Sequence, residues 1–228
     1  MPDSNLRAFR LLVFDWDGTL VDSIGRIVGC TQETLAVLGL APVDAKTIQM
    51  SIGLGIRDMV DRFHPGCDDA TFTRIFEVYR DLWREKYSVA PQLFAGAAEA
   101  LAEFGRGGYL LAVATAKSRY GLVRDLEGTG LDAAFHATRT VDEAAAKPSP
   151  DMLLQLLEEL GVRAEEALMI GDTVHDLQMA SNAGVSGVGV TSGSHDREEL
   201  SAAEAEAVLA GVHELPRWLA DRAGGGTE

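Results

Sequence analysis

The chain has little cysteine. Cys30 and Cys67 are the two in 228 residues, with no CxxC pair and no histidine-rich spacing. A disulfide framework or a zinc site is therefore not expected, and a reducing cytoplasm is the expected compartment. Long apolar runs are also missing. No stretch approaches the ~20 residues of a membrane span, and the opening MPDSNLRAFR lacks the apolar centre of a secretory signal. Positive charge is scarce: 20 Lys and Arg stand against 35 Asp and Glu, a net charge of −15. Such a surface repels nucleic acid and anionic membrane, so neither is an expected partner. It repels an anionic substrate too, unless the site supplies local positive charge from a metal, a lysine or backbone amides. What the chain does have is 46% apolar and 24% charged residues, the profile of a soluble globular protein.

The apolar residues fall into two periodicities. LLVF (11–14), LLAVAT (110–115) and ALMIGD (167–172) read as buried strands, FHAT (135–138) as a weaker one and GVGV (187–190) as the last. Residues 24–38 place Ile24, Ile27, Val28, Leu35 and Leu38 on one helical face, and Gly39 suits the C-terminal cap. Short helices are expected near 44–51 and 56–63, on either side of IGLG (52–55). The segment 68–87 spaces Phe72, Ile75, Phe76, Tyr79, Leu82 and Trp83 at helical intervals, a stripe that reads as packing. No strand pattern occurs between 20 and 90, so that interval reads as a helical insertion. Beyond it, helices are expected at GAAEALAEFGRGG, YGLVRDLEGTGL, PSPDMLLQLLEELG and VHDLQMASNAG. In the third, Ser149 suits the N-cap and Pro150 the first turn. Residues 197–222 are expected as peripheral helix, and the tail GGGTE as mobile. Alternating strands and helices imply the α/β class, with a parallel sheet in a three-layer α/β/α core.

The polar residues are placed where such a sheet binds ligands, beyond the carboxyl ends of its strands. LLVF runs into Asp15, LLAVA into Thr115 and ALMIG into Asp172, while Lys147 in AAAKPSP precedes a capped helix. Asp15, Asp17 and Asp172 would crowd one rim, with Asp176 a helical turn beyond. Carboxylates so close do not all ionise without a compensating cation. A ligand set of oxygens alone selects a hard ion, of which Mg2+ is the natural choice. Mg2+, a lysine, a threonine hydroxyl and backbone amides together suit a phosphoryl group. The rigidly held Asp15 could attack phosphorus, and Asp17 could protonate the leaving alcohol and then activate water.

The blocks FDWDGTLVDS, LLAVAT, KPSP and MIGDTVHD, in that order, resemble those of the haloacid dehalogenase superfamily over roughly residues 9 to 215. The resemblance implies a Rossmann-like core from residues 1–20 and 91–228, with 21–90 as a small inserted helical cap of the phosphoglycolate-phosphatase-like branch. It implies Asp15 as nucleophile and metal ligand, and Asp17 as acid/base that also ligates through its backbone carbonyl. Thr115 and Lys147 would hold phosphoryl oxygens, Asp172 would bind the metal, and Asp176 would support the metal waters or Lys147. Retention of an acid at Asp17 points to phosphoryl transfer rather than dehalogenation, and against a Schiff base on Lys46 or Lys86. Thr19, Ala116, Lys117 and Arg57 are further candidates for substrate contact. Trp16 would serve the phosphoryl group through its backbone amide, and His175 is expected as an exposed helix residue. The implied activity is Mg2+-dependent hydrolysis of a small phosphorylated metabolite: phosphoglycolate, a sugar phosphate or a nucleotide-like monoester. A phosphomutase of the same fold is the alternative, and a receiver-like phospho-aspartate module a remote one. A monomer or a homodimer would each suit.

Overall fold

The computed structural model describes residues 9–224, with side chains to Arg222. The expectations for the first residues and for the GGGTE tail lie largely outside the described residues. Six parallel strands form one sheet: β1 (Leu11–Phe14), β2 (Leu110–Thr115), β3 (Ala137–Thr140), β4 (Ala167–Gly171), β5 (Ser186–Val190) and β6 (Ala207–Leu209). Their order is β3-β2-β1-β4-β5-β6. The fold is α/β, a Rossmann-like three-layer sandwich.

β1 is the axis of the sheet. Its four residues are fully buried, and the pleat sends them alternately to the two faces. Leu12 and Phe14 join Phe104 and Leu101 of α5 (Ala97–Arg106), Leu122 of α6 (Arg119–Thr129) and Leu219 of α10 (Leu215–Gly224). Leu11 and Val13 join Met152 and Leu156 of α7 (Asp151–Leu160) and Met179 of α8 (Val174–Asn182). Each such side chain contributes roughly 1.5–3 kcal/mol through burial. A strand apolar on both faces is therefore the sequence mark of this central position.

Between β1 and α5 the described residues form helices without a strand: α1 (Ile24–Val37), α2 (Ala45–Gln49), α3 (Ile56–Phe63) and α4 (Asp69–Leu82), whose end widens into a π-helical turn at Trp83–Tyr87. Asp44 and Asp68 start α2 and α4 by accepting from the amides of Thr47 and Thr71. Two passages of chain connect these helices to the sheet, and they lie side by side. Asp22 N donates to Gln92 O, and Phe94 N donates to Leu20 O.

Three expectations need correction. β3 begins at Ala137, two residues later than FHAT suggested, because Ala137 pairs with Ala112 while His136 Nδ1 accepts from Leu111 N. Residues 197–222 are not simply helical. After α9 (Arg197–Ala202) the chain adds β6 to the sheet edge, pairing Val188 to Val190 with Ala207 to Leu209. Ser149 does not start α7 in the usual way; Pro150 occupies the cap, and Ser149 Oγ accepts only a long 3.4 Å bond from Asp151 N.

Candidate active site

The register aligns the strand ends. Phe14 lies beside Val113 on one side and Ile170 on the other. Asp15, Thr115 and Asp172 therefore leave the sheet at nearly one level. This is where the order turns from β2 to β4, the crevice that open parallel sheets offer to ligands.

Past Asp15 the chain turns sharply. Gly18 adopts a φ of +89°, which L side chains rarely take, and a Cβ on it would stand 2.4 Å from Asp172 Oδ2. A Cβ at Gly193 would come within 2.0 Å of the same oxygen. Two glycines from distant loops thus leave room for this one carboxylate. Thr19 Oγ1 donates to its Oδ1 at 3.0 Å and Ser194 N to its Oδ2 at 2.7 Å.

Lys147 is fully buried and bridges two acids, with Nζ 2.5 Å from Asp15 Oδ1 and 2.6 Å from Asp176 Oδ1. Asp176 itself is fixed by the start of α8. Its Oδ2 accepts from Thr173 N and Oγ1, and Thr173 Oγ1 accepts from Asp176 N, a capping box made with an aspartate. One oxygen of Asp176 thus serves the helix and the other Lys147.

Carboxylate oxygens of Asp15, Asp172 and Asp176 lie within 4.8 Å of one another, all buried. Burial, followed by the charge of Asp176, pushes Asp172 up to about 7. Burial also raises Asp15 well above the usual carboxylate range, with Lys147 opposing and Asp176 and Asp172 adding to the rise. Lys147 stays protonated: burial disfavours its charge, but Asp15 and Asp176 outweigh that and hold it above its ordinary value. One ammonium does not balance three carboxylates. The three clustered carboxylates, all oxygen donors, therefore fit a hard divalent cation.

Asp17 lies beside this cluster and is engaged differently. Ser23 Oγ donates to it at 2.6 Å, and Lys117 Nζ reaches its two oxygens at 2.9 and 3.0 Å. Lys117 also pairs with Asp125 at 3.3 Å, and Asp125 accepts from Trp16 Nε1. Burial opposes the Lys117 charge, but Asp17 and Asp125 more than compensate, so its pKa is raised. Asp15, Asp17, Thr115, Ala116 and Lys117 line one cavity of about 680 Å³. Thr19 meets Asp172 instead of the cavity wall.

Arg57 is not brought there. Its guanidinium is held by Asp61 and Asp69 and donates to Cys67 O, so it braces α3 against α4. His175, expected on the surface, is buried, and burial lowers it to about 4; its ring lies 5.8 Å from that of His195. Lys46 and Lys86 are surface groups near Glu199 and Glu33. Sequence reasoning missed Asp125 and Ser194, whose contacts span 109 and 22 residues with no local pattern to announce them. It also missed that the α4 aromatic stripe faces the cavity, where Ile52, Gly53 and Leu54 of the IGLG turn join it.

The order of the acidic blocks and their convergence on this sheet edge agree with comparison to known proteins. Residues 12–190 match the model of the haloacid dehalogenase-like hydrolases. The chain belongs to that family. "Probable phosphatase IndB" of Dickeya dadantii is 36% identical to it, covering 87% of this chain and 88% of that protein. A phosphoglycolate phosphatase of Mesorhizobium japonicum is 32% identical, covering 93% and 95%. Among solved structures, a hydrolase from Pseudomonas syringae superposes with a TM-score of 0.82 at 26% identity, covering 94% of this chain and 98% of that one.

Proposed function

We propose that the protein is a Mg2+-dependent phosphatase of a small-molecule phosphate monoester, acting through a phosphoryl group carried on Asp15. The observation that carries this reading is the Lys147 ammonium, 2.5 Å from Asp15 and 2.6 Å from Asp176, within a cluster of three buried carboxylates. The phosphatase and phosphoglycolate phosphatase names of the relatives support it.

Asp15 and Asp172 would hold the ion through their carboxylates and Asp17 through its backbone carbonyl. When bound, the ion neutralises phosphoryl oxygens and keeps the acidic cluster ionised. Asp15 attacks phosphorus, the ester P–O bond breaks, and its electron pair leaves on the alcohol oxygen, which takes a proton from Asp17. Asp17 then removes a proton from water as that water attacks phosphorus. The Asp15–phosphorus bond breaks, inorganic phosphate departs and Asp15 is restored. Thr115 and Lys147 hold the phosphoryl oxygens, and Asp176 fixes Lys147. The helices of residues 21–90 act as a cap that shuts the cavity against water, with residues 1–20 and 91–228 as the core. Two free cysteines support a reducing cytoplasm as the compartment.

The test is phosphate release with and without Mg2+ for the native protein and Asp15→Asn. Mg2+-dependent release, abolished in the folded variant, is expected. Near-normal rates in the variant would overturn the reading. Phosphorus NMR showing the phosphoryl group moved to another hydroxyl, with no inorganic phosphate, would identify a mutase instead.

A further inference from the structure

The cavity is larger and more apolar than phosphoryl transfer requires. It is lined by Asp15 and Asp17 and, along α4, by Phe72, Phe76, Tyr79 and Trp83. The rings stack along the helix, and Trp83 also stacks on Tyr87 at 6.5 Å and 18°. Phe72 and Phe76 stack at 6.4 Å between centroids and 18°, and Tyr79 and Trp83 at 5.9 Å and 19°. Trp83 reaches the reacting end, because Lys117 Nζ, bonded to Asp17, lies 5.8 Å from its ring centroid. This wall is not simply core: Phe76 is 40% exposed, and Tyr120 at the rim 68%. At about 680 Å³ the space matches the range of roughly 300–1,000 Å³ that encloses drug-sized ligands.

Arg80, Arg84 and Arg124 also line the cavity. Arg80 pairs with Asp81, Arg124 donates to Ser88 O, and Arg84 lies over the Tyr120 ring. Arg57 is held by Asp61 and Asp69, with its guanidinium carbon 4.7 Å from the centroid of the Phe72 ring. A two-carbon acid phosphate would leave most of the space, and the aromatic side chains along it, without a partner.

We infer that the leaving group this site accepts carries a flat aromatic or heteroaromatic ring, which lies against the α4 wall while its phosphate meets Asp15. The substrate class is a ring-bearing phosphate monoester, either a nucleoside monophosphate or an aryl-alkyl phosphate. The inference rests on the phosphatase reading and specifies its substrate. Flat rings gain from stacking on aromatic side chains, about tenfold or more per contact.

The test uses pairs that differ by the ring: uridine 5′-monophosphate against ribose 5-phosphate, and 2-phenylethyl phosphate against ethyl phosphate, with phosphoglycolate alongside. With Mg2+, kcat/KM is expected to be at least about tenfold higher for the ring-bearing member of one pair or both. Preference in the first pair alone marks a nucleotide substrate and in the second alone an aryl one. Phe76→Ala and Trp83→Leu should each reduce that preference ratio about tenfold, and Trp83→Phe should keep most of it. Phe76 is exposed enough that its removal leaves the fold intact. Calorimetry with the inert 3-phenylpropylphosphonate and propylphosphonate reads ring binding without hydrolysis. Turnover that favours the ring-free members or phosphoglycolate, or an unchanged ratio in both variants, overturns the inference and leaves the phosphatase reading standing. Tight ring-phosphonate binding with no turnover of any ester keeps the ring site and defeats the phosphatase reading.

Discussion

Lys147 and Asp15 meet at 2.5 Å although 132 residues separate them in the chain. Neither side chain has more than 4% exposure, so the pair exists only because the sheet brings two distant loops together. Removing the ammonium leaves Asp15 and Asp176 buried without their cation. Lys147→Met should lose about 3–5 kcal/mol in urea denaturation without Mg2+, and its activity with Mg2+ should fall at least about a hundredfold. The Lys147→Met, Asp176→Asn double variant should be less destabilised than the sum of the two single changes. Strict additivity would show that the pair is not coupled.

Asp17 should reveal its role through the leaving group. Asp17→Asn is expected to slow hydrolysis of an alkyl phosphate by about 10²–10⁴, and of a nitrophenyl phosphate by much less. Steady-state rates for the two esters decide it, and equal losses would remove Asp17 as proton donor.

Gly193→Ala places a Cβ 2.0 Å from Asp172 Oδ2. The carboxylate has to turn and give up the Ser194 amide or the Thr19 hydroxyl. The Mg2+ concentration for half-maximal activity should rise about 10–100-fold, the usual effect of disturbing the partners of a metal-binding carboxylate. Titration of activity with Mg2+ measures this, and an unchanged half-saturation would count against Asp172 as a ligand.

Mg2+ should also stabilise the fold in a pH-dependent way. Asp172 titrates at about 7 in the folded chain, raised by burial and then by Asp176, against an ordinary 3.8. Between those values the folded chain holds the extra proton, so this group's contribution to stability falls as pH rises through the window. The ion binds the ionised carboxylate. The rise in melting temperature on adding Mg2+ should therefore be larger near pH ~8 than near pH ~5.5. Equal rises in calorimetric scans would contradict this.

The strands ending in Asp15, Thr115 and Asp172 were legible because each is a short apolar run closed by a polar residue, and the observed β1 and β2 bounds are those of the pattern. Lys147 was legible only as a nearby charge; its two partners come from tertiary contacts. β6 escaped because AVL is three residues long and half-buried, too brief for periodicity to show. The α4 stripe was read with the correct helix and the wrong destination. Helical spacing reports that one face is apolar, not whether protein or a cavity lies against it.

The pairing of the two connecting passages has a mechanical consequence. Gly18 N is tied to Val21 O, and Leu20 O to Phe94 N, so the strap leaving Asp17 is stitched to the strap returning from the helices. A swing of the helical portion about this seam would be felt within four residues of the proton donor. Asp15, anchored to the sheet by its own amide on Ile170 O, would stay still. Opening and closing would thus retune the acid while leaving the nucleophile at rest.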